Sequence, residues 1–142
     1  MASIQDIEAN LLEEFNFCED WQEKFELLIE LGMDLEPLSA EYKTEEKRII
    51  GCQSNVWLHA DYQADTHTMV YIADSEAMIV KGLASLLISF YANQSPEDIL
   101  KTEISFFKQI GLDQHLSSTR ANGLSAMLGK MKLYASQHIK TA

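Results

Sequence analysis

Apolar residues near the start of the chain recur three and four positions apart. Ile4, Ile7, Leu11, Leu12 and Phe15 share one helical face, which predicts a helix over residues 4–15. Ser3 and Asp6 have the form of its capping arrangement. A second helix is predicted from Asp20, with Glu23 three residues on as a capping box. Trp21, Phe25, Leu28 and Ile29 form its apolar face, and it stops near Gly32. Residues 33–47 carry Pro37 and many charges, and predict a loop with room for a short helical turn. The period then changes from helical to alternating. Val56, Leu58, Ala60 and Tyr62 fall on one face, and Trp57, His59 and Asp61 on the other. Residues 68–73 repeat the alternation, and the polar stretch 63–67 joins the two runs as a hairpin. A third strand is predicted over residues 48–50.

Residues 77–91, with Met78, Ile79, Val80, Leu83, Leu86, Leu87 and Phe90, predict an apolar helix that lies in the core. Ser95-Pro96-Glu97-Asp98 has a cap, a proline at the first helical position and acids in the first turn. A short helix follows it, and residues 104–110 form another that ends at Gly111. The last helix runs from about Ser118 to about His138, with Leu124, Met127, Leu128, Met131 and Tyr134 as its buried stripe. The whole predicts an α+β fold: one domain over residues 1–142, with a small antiparallel sheet of about three strands packed with helices.

Charge narrows the partners. Lys plus Arg is 11 and Asp plus Glu is 22, giving a net charge of −11. Such a surface argues against nucleic acid, whose phosphates need cations, and against anionic membranes. It favours a partner with a basic patch. Two cysteines make neither a disulfide framework nor a Cys-only zinc or cluster site. No signal peptide or membrane span is apparent, and a reducing, cytoplasmic setting is expected.

The candidate chemistry centres on Gly51-Cys52-Gln53-Ser54, which places a thiol after a glycine and before the first strand. Glycine lets the backbone approach a partner closely. Gln53 and Ser54 offer polar contacts. A thiol attacks sulfur as its thiolate, and one that titrates near ambient pH is well matched to a sulfur electrophile. The alternative is burial, because cysteine is among the most buried residue types. For Cys18, between two helices, the structural role is the expectation. Four histidines, His59, His67, His115 and His138, are available as a base, but none forms a recognisable nucleophile motif with Cys52. A metal site from Cys52, His59 and a carboxylate has no support in the spacing. Arg120, near the start of the last helix, is placed either to stabilise a thiolate or to stand solvated.

Four blocks together resemble the SufE family of sulfur-acceptor proteins. They are Gly51-Cys52-Gln53-Ser54 with Val56-Trp57-Leu58; Asp74-Ser75-Glu76-Ala77 leading into Ile79-Val80-Lys81-Gly82-Leu83; His115-Leu116; and Arg120-Ala121-Asn122-Gly123-Leu124. Trp21 and Ile29-Glu30-Leu31-Gly32 also fit. The resemblance implies a fold like that of the IscU scaffolds. It implies a chain that takes persulfide sulfur onto Cys52 from a pyridoxal-phosphate cysteine desulfurase of the SufS or CsdA type, stimulates that enzyme, and relays the sulfur to an iron–sulfur scaffold of the SufBCD type. Gly51, Gln53, Ser54, Asp74, Glu76, His115 and Arg120 would support the thiol or bind the partner. No cofactor or metal of its own is implied, and homodimerisation is left open. The family's Asp-Ser-Asp-Ala reads Asp-Ser-Glu-Ala here, which keeps a carboxylate. Its Ser-Pro-Ser-Arg reads Ser-Ser-Thr-Arg, which leaves Ser117 or Ser118 to cap the last helix. Two other readings stand beside this one: a regulator that acts by docking alone, and an independent thiol enzyme. Cys52 is also expected to be shielded at rest by neighbours such as Val56 and Trp57.

Overall fold

A computed structural model describes residues 3–36, 38–49 and 55–139. The chain opens with α1 (Ile4–Asn16) and α2 (Trp21–Met33), followed by a 3-10 turn at Ala40–Tyr42. Strands β1 (Val56–Gln63) and β2 (Thr68–Ser75) come next. Four helices complete the chain: α3 (Met78–Tyr91), α4 (Pro96–Lys101), α5 (Phe106–Gln109) and, after a 3-10 turn at Leu112–Gln114, α6 (Ser118–Ser136).

The helix starts follow the cap signals. The hydroxyls of Ser3, Ser95 and Ser117 and the carboxylate of Asp20 each accept the backbone N–H three residues on. Ser117, rather than Ser118, is the residue that caps the start of α6. Glu23 reaches back to the N–H of Glu19, one residue before the cap.

The two strands pair antiparallel, from Val56 opposite Ser75 to Gln63 opposite Thr68. Val56, Leu58, Met69, Tyr71 and Ala73 are buried. The α3 helix packs on β2 and α6 packs on β1. Tyr71 Oη donates to the Met131 carbonyl at 2.7 Å, and Tyr134 Oη to the Leu58 carbonyl at 3.4 Å, which ties α6 to the sheet. Leu83, Leu86, Leu87, Phe90 and Tyr91 make α3 the centre of the core. Phe106 packs edge-on against Phe15 of α1 and Phe90 of α3, so α5 closes the far side.

α2 crosses α3 at two glycines. A methyl group on Gly32 would stand 2.7 Å from the backbone nitrogen of Gly82, and one on Gly82 would overlap the Leu28 carbonyl oxygen. Here glycine is required for close approach of two backbones.

Several expectations are corrected. Of the third strand expected over 48–50, residue 50 lies outside the described residues, and the described part forms one bridge, Arg48 to Trp57, beside the two-stranded sheet. Among the described residues the segment pairs with β1 only through the Ile49–Val56 and Lys47–Leu58 backbone bonds, too few to extend a ladder. The helix expected over 104–110 narrows to Phe106–Gln109, and α6 ends at Ser136. The stripe that α6 buries is Gly123, Met127, Met131 and Ala135, one turn apart; Leu124, Leu128 and Tyr134 flank it half-buried. Met78 opens α3 at the rim of the core and is exposed.

Candidate functional site

Cys52 and its neighbours Gly51, Gln53 and Ser54 lie outside the described residues, as does the thiol's expected shielding. Both flanks of that segment are described, and they are held together. The Ile49 N–H donates to the Val56 carbonyl at 2.8 Å, and the Leu58 N–H to the Lys47 carbonyl at 3.0 Å. Ile49 is buried, which anchors the incoming flank.

The outgoing flank is fixed by Asn55. Its carbonyl accepts from Ser75 Oγ at 3.0 Å and from the Glu76 N–H at 3.4 Å. Its side-chain amide donates to Glu76 Oε2 at 3.3 Å. Ser75 Oγ also accepts the N–H of Ala77, the residue before α3, at 3.1 Å. The block Asp74-Ser75-Glu76-Ala77 therefore meets the residue three positions after Cys52. The antiparallel register that sets Val56 opposite Ser75 dictates this meeting.

Asp74 lies beside these bonds. It sits opposite Trp57, accepts from the Ser75 N–H at 2.8 Å, and pairs with Lys43 Nζ at 3.2 Å and Lys81 Nζ at 3.4 Å. Burial pushes its carboxyl upward, but the Lys43 hydrogen bond, the Ser75 N–H and the Lys81 charge together outweigh it. The group is held below its ordinary value. Lys43 also stands 5.3 Å from the Trp57 ring centre. One carboxylate thus joins the segment before the thiol, the end of β2 and the first turn of α3. Lys43 lies in a charged loop and gives no sequence signal of this role. Lys81 lies in a matching block, but nothing in the sequence pairs it with Asp74.

The other two predicted residues sit elsewhere. His115 is exposed after the second 3-10 turn and stacks on Trp21, with ring centres 4.0 Å apart. Arg120 is exposed in the first turn of α6, and its N–H donates to Ser117 Oγ at 3.2 Å. Among the described residues no hydrogen bond or ion pair links either to Asp74 or Glu76. His59 stacks on Tyr42 at 4.1 Å, and its Nε2 lies 3.1 Å from Asp61. His67 joins Tyr62 and Glu97, each at 2.6 Å, and fastens the hairpin to α4. Among the described residues no three His, Cys, Asp or Glu side chains gather to hold a metal ion. Nor is any helix long and apolar enough to cross a membrane.

Cys18 lines a groove of about 660 Å³ with Glu13, Glu14, Glu23, Glu26 and Glu30. Burial first, then Glu23, pushes its thiol pKa up; Glu14 and Asp20 add to the rise, and only Lys24 opposes it. An acidic groove of this kind keeps a thiol protonated and suppresses its nucleophilicity.

Residues 9–135 match the model of the SufE family, described as an Fe-S metabolism associated domain. The chain belongs to the SufE family. That match spans α1 to the last turn of α6, so it embraces the whole frame around Asn55 and Asp74. The solution structure of a hypothetical protein from Thermus thermophilus is 23% identical, with a TM-score of 0.75, over 93% of this chain and 95% of that one. At this identity the likeness concerns the fold, and it agrees with the α+β architecture. SufE membership associates the chain with Fe–S metabolism.

Proposed function

We propose that this SufE-family chain accepts sulfur from a pyridoxal-phosphate cysteine desulfurase of the SufS or CsdA type. The Cys52 thiol gives up its proton, and the thiolate attacks the outer sulfur of the desulfurase's cysteine persulfide. A new S–S bond forms on Cys52 as the old one breaks. The desulfurase cysteine leaves as a thiolate and regains a proton. The exchange is neutral in electrons and needs no cofactor on this chain. Removing the persulfide frees the desulfurase for its next turnover, and the sulfur passes on to an iron–sulfur scaffold such as SufBCD.

The observation that carries the reading is the family match, which spans the Gly51-Cys52-Gln53-Ser54 block. Two structural facts support it. The flanks of the thiol segment are pinned at Ile49 and Asn55, which suits repeated presentation to a partner. The other thiol, Cys18, sits where burial, and after it Glu23, push its pKa up.

The test is mass spectrometry after incubation with desulfurase and cysteine. Wild-type protein gains about 32 Da, one sulfur, on Cys52. Cys52→Ser gains none and no longer stimulates the desulfurase. Stimulation that survives Cys52→Ser would establish the docking-only regulator instead.

A further inference from the structure

Five large apolar side chains stand exposed among the described residues: Phe17, Met33, Met78, Leu133 and Ile139. Two of these, Met33 and Met78, rim the same small hollow, although they belong to different helices. The hollow measures about 170 Å³ and is also lined by Ile29, Gly32, Ser75, Glu76 and Lys81. Met33 is 70% exposed at the end of α2, and Met78 is 57% exposed at the start of α3.

The close crossing at Gly32 and Gly82 brings these two helix ends together. Each methionine lies next to a fixed backbone: Met33 follows Gly32, and Met78 lies one turn before Gly82. Methionine is flexible and polarizable, and it is common on surfaces that adapt to a partner. Glu76 and Lys81 give the hollow a charged edge of both signs, as the rim of a protein interface has.

Position identifies the occupant. Glu76 lines the hollow and also holds Asn55, three residues after Cys52. A protein whose own cysteine meets Cys52 engages the chain between Ile49 and Asn55, and its interface extends well beyond a single pair of sulfur atoms, onto the residues that hold those flanks. We infer that the Met33–Met78 hollow is a docking surface for the persulfide-donating desulfurase, which seats an apolar side chain between the two methionines. This rests on the sulfur-acceptor reading above.

The test measures calorimetric affinity between the full-length chain and the desulfurase, alongside sulfur loading of Cys52. Replacing both residues, Met33→Gln with Met78→Gln, keeps side-chain length and removes apolarity at exposed positions. We expect about tenfold weaker binding. Met33→Leu with Met78→Leu retains wild-type affinity. Leu133→Gln, on the exposed side of α6, stays within twofold of wild type. An affinity within twofold of wild type for the double glutamine variant overturns the inference, as does an equal loss for Leu133→Gln. If wild-type protein takes up sulfur normally while the double glutamine variant binds unchanged, the docking inference alone fails. If wild-type Cys52 takes no sulfur from the desulfurase, the acceptor reading fails and the docking inference with it.

Discussion

The same substitution should have opposite signs at two helical glycines. At Gly82 a methyl group would overlap the Leu28 carbonyl oxygen and stand 2.8 Å from the Leu28 carbonyl carbon and from Leu28 Cγ. Two of those three atoms are backbone, so no rotamer change relieves the clash; α2 must move off α3. Overpacking costs roughly 1–3 kcal/mol, and a backbone clash lies at the upper end of that range. Replacing a helical glycine by alanine returns about 1 kcal/mol of helix propensity. The net loss for Gly82→Ala is therefore about 2 kcal/mol. For a chain of this length that lowers the melting temperature by roughly 5–8 °C. At Gly129, inside α6, a methyl group meets nothing within 4 Å. Only the propensity remains, so Gly129→Ala should raise the melting temperature by roughly 3–4 °C. Thermal unfolding followed by circular dichroism at 222 nm (roughly the helix minimum, where lost α-helix is read directly) measures both. A Gly82→Ala protein that melts at or above wild type would refute the close crossing. A Gly129→Ala protein that falls as far as Gly82→Ala would show that glycine flexibility, not contact, sets the sign.

Asp74→Asn should cost about 1–2 kcal/mol at neutral pH, between the values for surface and buried ion pairs. Because the folded carboxyl is held below its unfolded value, its contribution is present above about pH 4 and is lost as pH falls through the folded value. Urea midpoints of wild type and Asp74→Asn should therefore converge in acid; a constant gap would refute the assignment. Tyr91 is buried, its hydroxyl has no hydrogen-bond partner among the described residues, and burial followed by Glu103 pushes its pKa up to about 12. Tyr91→Phe should be neutral or stabilising, whereas Tyr71→Phe should cost about 1 kcal/mol because it removes the bond to Met131. Equal losses in urea denaturation would contradict this contrast. Cys18→Ser should still load sulfur on Cys52 at the wild-type rate, as read by mass spectrometry.

Much of the architecture is legible one helical turn at a time. Ser3, Asp20, Ser95 and Ser117 act on a backbone N–H three residues away, so their effect is visible in any short window of sequence. The hairpin is legible for a related reason: its two runs alternate and are joined by a short polar stretch. Errors arise where one element's fate depends on a distant neighbour. The strand expected over 48–50 is reduced, among its described residues, to a single bridge because they meet β1 only briefly. Met78 reads as core because periodicity cannot tell that its turn of α3 projects past the packing. Of the predicted site residues, the sheet register brings Asp74 and Glu76 to the flank of the thiol segment. His115 instead stacks on Trp21, and Arg120 stands exposed on α6; their membership of accompanying blocks did not require contact.

By itself the sequence determined the helix caps, the hairpin, the α+β class, the acidic surface and the thiol-bearing block that resembles the SufE family. These depend on side-chain chemistry, composition and short-range spacing. Only the tertiary structure decided that Asp74 joins Lys43 to Lys81, that Asn55 is fastened to Glu76, and that Met33 and Met78 rim one hollow. Those pairings join residues far apart in the chain. They exist because two glycines let α2 and α3 touch and because one register sets Val56 against Ser75, and neither fact is written in any local stretch of residues.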